Sequence, residues 1–190
     1  MGQPVMLPRQ EQIFVAAWHF PEVATLFGFA RTIHALLLVS QDAPWFKALR
    51  SAGCTLNFQA PGAIKRLVRE MQAGRVVAAM LDHAIPGTQC EPARLLGRTV
   101  STPSGILELC SRYGYRIGFV APRPGGNRIV AEIDATGRPT RELAQQYNDW
   151  LEQEVRAAPE RWLMWQALPL RQQGQAPRLP ARPGRTMTTE

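Results

Sequence analysis

The chain has little cysteine, and its spacing is that of isolated thiols: Cys54, Cys90 and Cys110 are far apart and odd in number. That excludes a disulfide framework and the close ligand pairs of a structural zinc site, and it points to a reducing compartment. Acidic side chains are outnumbered, 15 Asp and Glu against 22 Lys and Arg, for a net charge of +7. The balance favours an acidic partner, whether nucleic acid, anionic lipid headgroup or acidic carrier protein, and does not choose among them. Long hydrophobic runs are also missing. The most apolar region, residues 13–39, is interrupted by His19, Pro21, Glu22, Arg31 and His34, and no basic leader precedes it. Neither a signal peptide nor a transmembrane helix is therefore predicted. Gly125 and Gly126 stand between two strand-like runs rather than before a helix, which excludes a nucleotide loop.

What is present suits one α/β domain over residues 1–170. The length is 190 residues with 45% hydrophobic content, enough for a core of ordinary size. Beyond Leu170 the composition shifts to Gln, Pro, Gly and Arg, so residues 171–190 read as a flexible basic tail. Residues 13–18 and 33–39 read as buried strands with a short helix at 22–31 between them. Asp42-Ala43-Pro44 starts a helix of about two turns carrying Trp45, Phe46 and Leu49. Ile64, Leu67, Val68 and Met71 form the apolar stripe of a helix from Pro61 to Gln72, and Val76–Leu81 is a strand apolar on both faces. Thr102-Pro103 has the form of a helix start, with Gly114 as its stop. Residues 116–121 and 128–134 pair antiparallel, and a longer helix from Thr140 presents Leu143, Tyr147, Trp150, Leu151 and Val155. Trp162 and Trp165 read as core aromatics.

The chemistry gathers at strand ends. His19 closes the run Ile13-Phe14-Val15-Ala16-Ala17-Trp18 beside Glu22, the setting of a general base near a carboxylate, or of a histidine that only holds the strand end. Asp82 closes a buried strand, where sheets present functional groups to a crevice, or where an acid caps a turn. Arg98 can bind an acceptor phosphate or a carrier phosphopantetheine through paired hydrogen bonds, or stand as a surface arginine with no ligand. Thr102 and Ser104 precede amides able to receive an anion, although capping is their commoner role. His34 reads as a histidine within a strand, and His83 as a neighbour of the Asp82 crevice. The spacing of His19, Glu22, Asp82 and His83 does not support a metal site, and no cofactor is expected.

Several blocks occur in an order that resembles the bacterial lipid A late acyltransferases, the lauroyl and myristoyl transferases of the lysophospholipid acyltransferase superfamily. They are the His19-Phe20 strand end; the Gly62–Gly74 helix followed by Arg75-Val76-Val77 and Asp82; Leu96-Gly97-Arg98 leading to Thr102-Pro103-Ser104-Gly105; and Pro159-Glu160-Arg161-Trp162-Leu163-Met164-Trp165. The resemblance spans about residues 11–168. It implies a glycerolipid acyltransferase-like fold, with a mixed sheet flanked by helices. It also implies transfer of a fatty acyl chain from acyl carrier protein or acyl-CoA to a lipid or glycolipid hydroxyl, with His19 as base. The partners would be the acyl donor, a lipid acceptor and an anionic membrane surface, with no nucleic acid, in a cytoplasmic protein peripheral to the inner membrane.

The family's histidine is followed five residues later by an acidic residue that orients it, and this chain has Ala24 there. Glu22 is the nearby carboxylate that can substitute. The Ser40-Gln41-Asp42 stretch replaces an arginine usual after the second strand. Two functions stay open on these residues: an acyltransferase in which His19 and Glu22 are catalytic and Asp82, Arg98, Thr102 and Ser104 bind substrate, or a catalytically degenerate relative that binds an acyl chain, a carrier protein or a partner subunit.

Overall fold

The apolar run after Gln12 forms the strand β1, Ile13–Ala17, all five residues buried. The computed structural model describes residues 12–23, 31, 34–40 and 46–168, and β1 lies near the middle of its six-stranded sheet. The further strands of that sheet are β2 (Leu36–Val39), β3 (Thr55–Asn57), β4 (Val77–Met80), β7 (Arg116–Arg123) and β8 (Gly126–Asp134), in the order β3-β2-β4-β1-β7-β8. The first five in that order run parallel and β8 is antiparallel to β7. The fold is thus the expected α/β class with a mixed, helix-flanked sheet. Burial on both faces explains why β1 reads as a continuous apolar run; β4 is buried through Val77 and Ala79 and half-buried through Ala78 and Met80.

The helices are α1 (Lys47–Ser51), α2 (Ala63–Gln72), α3 (Gly105–Tyr113) and α4 (Thr140–Ala157). On one face of the sheet Phe14, Ala16, Leu36, Val77 and Ile117 share a core with Leu67 and Met71 of α2, Leu107 of α3 and Leu143, Tyr147 and Leu151 of α4. A smaller cluster of Leu37, Val39, Phe46, Leu49 and Cys54 packs under α1.

A separate hairpin, β5 (Cys90–Leu95) with β6 (Arg98–Pro103), has no counterpart in the sequence reading. Its tip is Leu96-Gly97 with φ of 51° and 75°, the pair of positive φ values that a two-residue type I′ reversal demands. The hairpin is held to α4 by side chains: Gln145 accepts from the Arg94 N–H at 2.8 Å, and Glu152 accepts from Leu96 N–H at 2.5 Å.

Several local expectations are corrected. The apolar stripe of α2 runs through Ala63, Leu67 and Met71; Ile64, about 100° away around the helix, is 57% exposed. His34 is not within a strand: it is exposed at a turn with φ 51°, and β2 starts two residues later. Thr102-Pro103 does not open a helix. Both belong to β6, and α3 starts after Ser104. The predicted start at Asp42-Ala43-Pro44 and most of the predicted 22–31 helix, Ala24 included, lie outside the described residues, as does the predicted tail. Pro21–Val23 is a single 3-10 turn.

Candidate active site

β1 and β4 pair in register, Ala16 with Ala79 and Ala17 with Met80. Two residues beyond each strand stand His19 and Asp82, at the carboxyl edge of the parallel sheet where α/β proteins open their crevices. Neighbouring strands are about 4.8 Å apart, so the in-register side chains meet. His19 Nδ1 is 2.7 Å from Asp82 Oδ1, and the backbone N–H of His19 donates to Asp82 Oδ2 at 2.9 Å. With Nδ1–H donating to the carboxylate, the lone pair lies on Nε2. The imidazole keeps 30% of its side-chain surface open while Asp82 is fully buried.

A third donor reaches the same carboxylate. The indole Nε1–H of Trp162 bonds to Asp82 Oδ2 at 2.9 Å, and the N–H of Leu163 donates to the carbonyl of His19 at 3.0 Å. Trp162 follows the 3-10 turn Pro159–Arg161 that ends α4. Its neighbour Arg161 bonds Glu22 Oε1 at 2.6 Å. Tyr147 of α4 adds a bond from its hydroxyl to the carbonyl of Ala17, 2.9 Å. The end of β1 is therefore fixed from both the sheet and the C-terminal segment.

The electrostatics follow from burial and pairing. Burial by itself lowers the pKa of His19, but the charge of Asp82 and the hydrogen bond to it outweigh that, and the imidazole ends above its ordinary value. For Asp82 burial pushes upward, yet the charge of His19, the two bonds from His19 and the bond from Trp162 hold the carboxyl below its usual range. The result is an ionised, buried carboxylate facing an imidazole that gains a proton readily. Burial pushes the Cys110 thiol well up.

The sequence-predicted residues are not all brought together. The Glu22 carboxylate is engaged with Arg161, which lowers its pKa, and the acid bonded to His19 Nδ1 is Asp82. Arg98 is exposed at the hairpin tip, at the opposite end of β6 from Pro103. Thr102 is buried, and its hydroxyl accepts from Asn148 Nδ2 of α4 at 2.8 Å. Ser104 is the residue before α3 but makes no side-chain cap bond, and its buried Oγ has no hydrogen-bond partner among the described residues. His83 adjoins Asp82 and is half-buried. Among the described residues no group of three or more His, Cys, Asp or Glu side chains is placed to hold a metal ion, and no helix is long and apolar enough to cross a membrane. Trp162 was missed as a site residue because nothing in its local sequence tells a core indole from one whose N–H meets a carboxylate.

No curated protein matches the chain. The family of bacterial lipid A biosynthesis acyltransferases matches over residues 49–169, a stretch that begins after His19 and contains Asp82, the hairpin, α4 and Trp162. With well over half of its length in that match, and a mixed α/β sheet that carries a histidine and an aspartate on adjacent strand ends, this chain belongs to the bacterial lipid A biosynthesis acyltransferase family.

Proposed function

We propose that the chain is an active acyltransferase, moving a fatty acyl group from a thioester of acyl carrier protein or acyl-CoA to a hydroxyl of a lipid or glycolipid. The observation that carries this reading is the 2.7 Å contact between His19 Nδ1 and Asp82 Oδ1 in a member of an acyltransferase family. It supplies an orienting carboxylate without calling on position 24, and so favours catalysis over a degenerate binding role.

In this mechanism Nε2 of His19 takes the proton of the acceptor hydroxyl as its oxygen attacks the thioester carbonyl carbon, and Asp82 stabilises the imidazolium that forms. The first backbone amides of α3 after Ser104, whose own N–H is bonded to the Gln89 carbonyl at 2.8 Å, are the candidates to receive the oxyanion of the tetrahedral intermediate. Collapse of that intermediate breaks the carbon–sulfur bond. The departing thiolate takes the proton from His19, leaving an ester and a free thiol. Arg98, exposed on the hairpin, is assigned to an anionic group of donor or acceptor remote from the reacting atoms.

The reaction is placed at the surface of an anionic membrane, on the cytoplasmic side. Support comes from the segment bonded to His19, which exposes Leu163 to 51% and Trp165 to 42%, and from the +7 charge of the chain. Apolar side chains flanking a site on a basic protein suit an interface with lipid. The deciding experiment is acyl transfer from acyl carrier protein and from acyl-CoA to a panel of lipid hydroxyls. Transfer that disappears in His19→Ala supports the assignment; its absence with every donor and acceptor favours the binding role instead.

A further inference from the structure

We propose that the segment Pro159–Leu163 is a positioning element for the His19–Asp82 pair, and that Trp162 is the positioning residue through which it acts. The inference rests on the acyltransferase reading for its kinetic consequence, but its geometric content stands apart from any reaction.

Asp82 offers two oxygens and receives three N–H groups. Oδ1 takes the ring of His19, while Oδ2 takes both the His19 peptide N–H and the Trp162 indole N–H, each at 2.9 Å. The two bonds on Oδ2 fix the plane of the carboxylate, and with it the direction in which Oδ1 faces the imidazole. Without the indole, Oδ2 would keep one donor and the carboxylate would gain a rotation. It would also be more basic, because a buried charge with fewer donors is less well compensated.

The same segment grips the other side of His19. Leu163 N–H holds the His19 carbonyl at 3.0 Å, and the Arg161–Glu22 pair at 2.6 Å ties the two 3-10 turns together. Both peptide groups of His19 are thereby committed, one to Asp82 and one to the C-terminal segment. A tryptophan placed only to fill the core would be served by any carbonyl. Trp162 is 1% exposed and spends its one donor on the carboxylate that orients the base.

The test is Trp162→Phe, which removes the N–H and leaves a buried ring. The analogue β-(3-benzothienyl)alanine at the same position, sulfur replacing N–H in an otherwise matching shape, serves if the phenylalanine variant does not fold. The first readout is the NMR titration of the His19 ring, assigned by comparison with His19→Ala. The more basic Asp82 should move its midpoint to higher pH. The second is kinetic: kcat should fall roughly 10–100-fold, the range for partners that orient a functional imidazole, with KM close to that of the parent. A folded variant whose His19 midpoint and kcat both equal the parent's overturns the proposal, as does a change in KM alone. If the parent transfers no acyl group to any acceptor, the acyltransferase reading fails while the titration still judges the positioning role.

Discussion

His19 and Asp82 are 63 residues apart in sequence, and 63 is also the register offset between β1 and β4: Phe14 pairs with Val77, Val15 with Ala78, Ala17 with Met80. The His19–Asp82 contact is thus an extension of the sheet's own register past the last ladder bond. A single-residue slip of β4 against β1 would turn every side chain of that strand to the opposite face and remove the carboxylate from the imidazole.

His19→Ala is expected to lower the transfer rate by about 10²–10⁴-fold and to leave the protein folded. The Asp82 carboxylate retains the backbone N–H of residue 19 and the indole of Trp162, so the substitution does not strand a bare charge. Turnover and melting temperature measured on the same preparation decide the matter: undiminished turnover rejects the base, and collapse of the fold makes the role structural.

The transfer rate should rise with pH along a limb whose midpoint lies above the ordinary imidazole value of about 6.5, because only neutral His19 accepts a proton and Asp82 raises its pKa. Asp82→Asn removes the attraction and leaves the lowering effect of burial. The limb should therefore move to lower pH while the plateau rate drops. An unchanged midpoint in Asp82→Asn would show that another group governs the profile.

Stability should follow the same pair with both signs. Asp82 has a depressed native pKa, so its contribution is present above the unfolded carboxylate value near 4 and is lost as pH falls through the native value. His19 has a raised native pKa, so its contribution is present below about 6.5 and is lost as pH rises through the native value. The gap in melting temperature between parent and Asp82→Asn should be widest between about pH 4 and 6.5. A gap that stays constant from acid to alkaline pH would contradict the coupling.

Binding to anionic vesicles should weaken in Leu163→Ser with Trp165→Ser and should fall as salt rises, since the Debye length shrinks from about 10 Å at 0.1 M to about 3 Å at 1 M. Co-sedimentation with neutral and anionic liposomes at several salt concentrations measures both parts. Indifference to the substitutions would remove these two side chains from the membrane contact.

Removal of residues 171–190 should leave the melting temperature unchanged and reduce only the salt-sensitive part of vesicle or carrier binding. The core contacts run to Leu168, which is 7% exposed, and the following stretch has no apolar periodicity. A large drop in melting temperature would show that the tail packs on the domain.

The sequence determined the α/β class, the buried β1 and β4, the β7–β8 pair, the apolar face of α4 and the choice of His19 and Asp82 as strand-end residues, because these rest on local periodicity and on what a buried parallel strand must look like. It missed the β5–β6 hairpin, where alternation is weak and the reversal uses a non-glycine residue, Leu96, at positive φ. Which carboxylate meets His19 was beyond local reasoning: Glu22 is nearer along the chain, but Asp82 is in register, and register is fixed by packing across strands. The same holds for Trp162, whose indole reaches Asp82 only because α4 turns back at Pro159 and returns the chain to the end of β1.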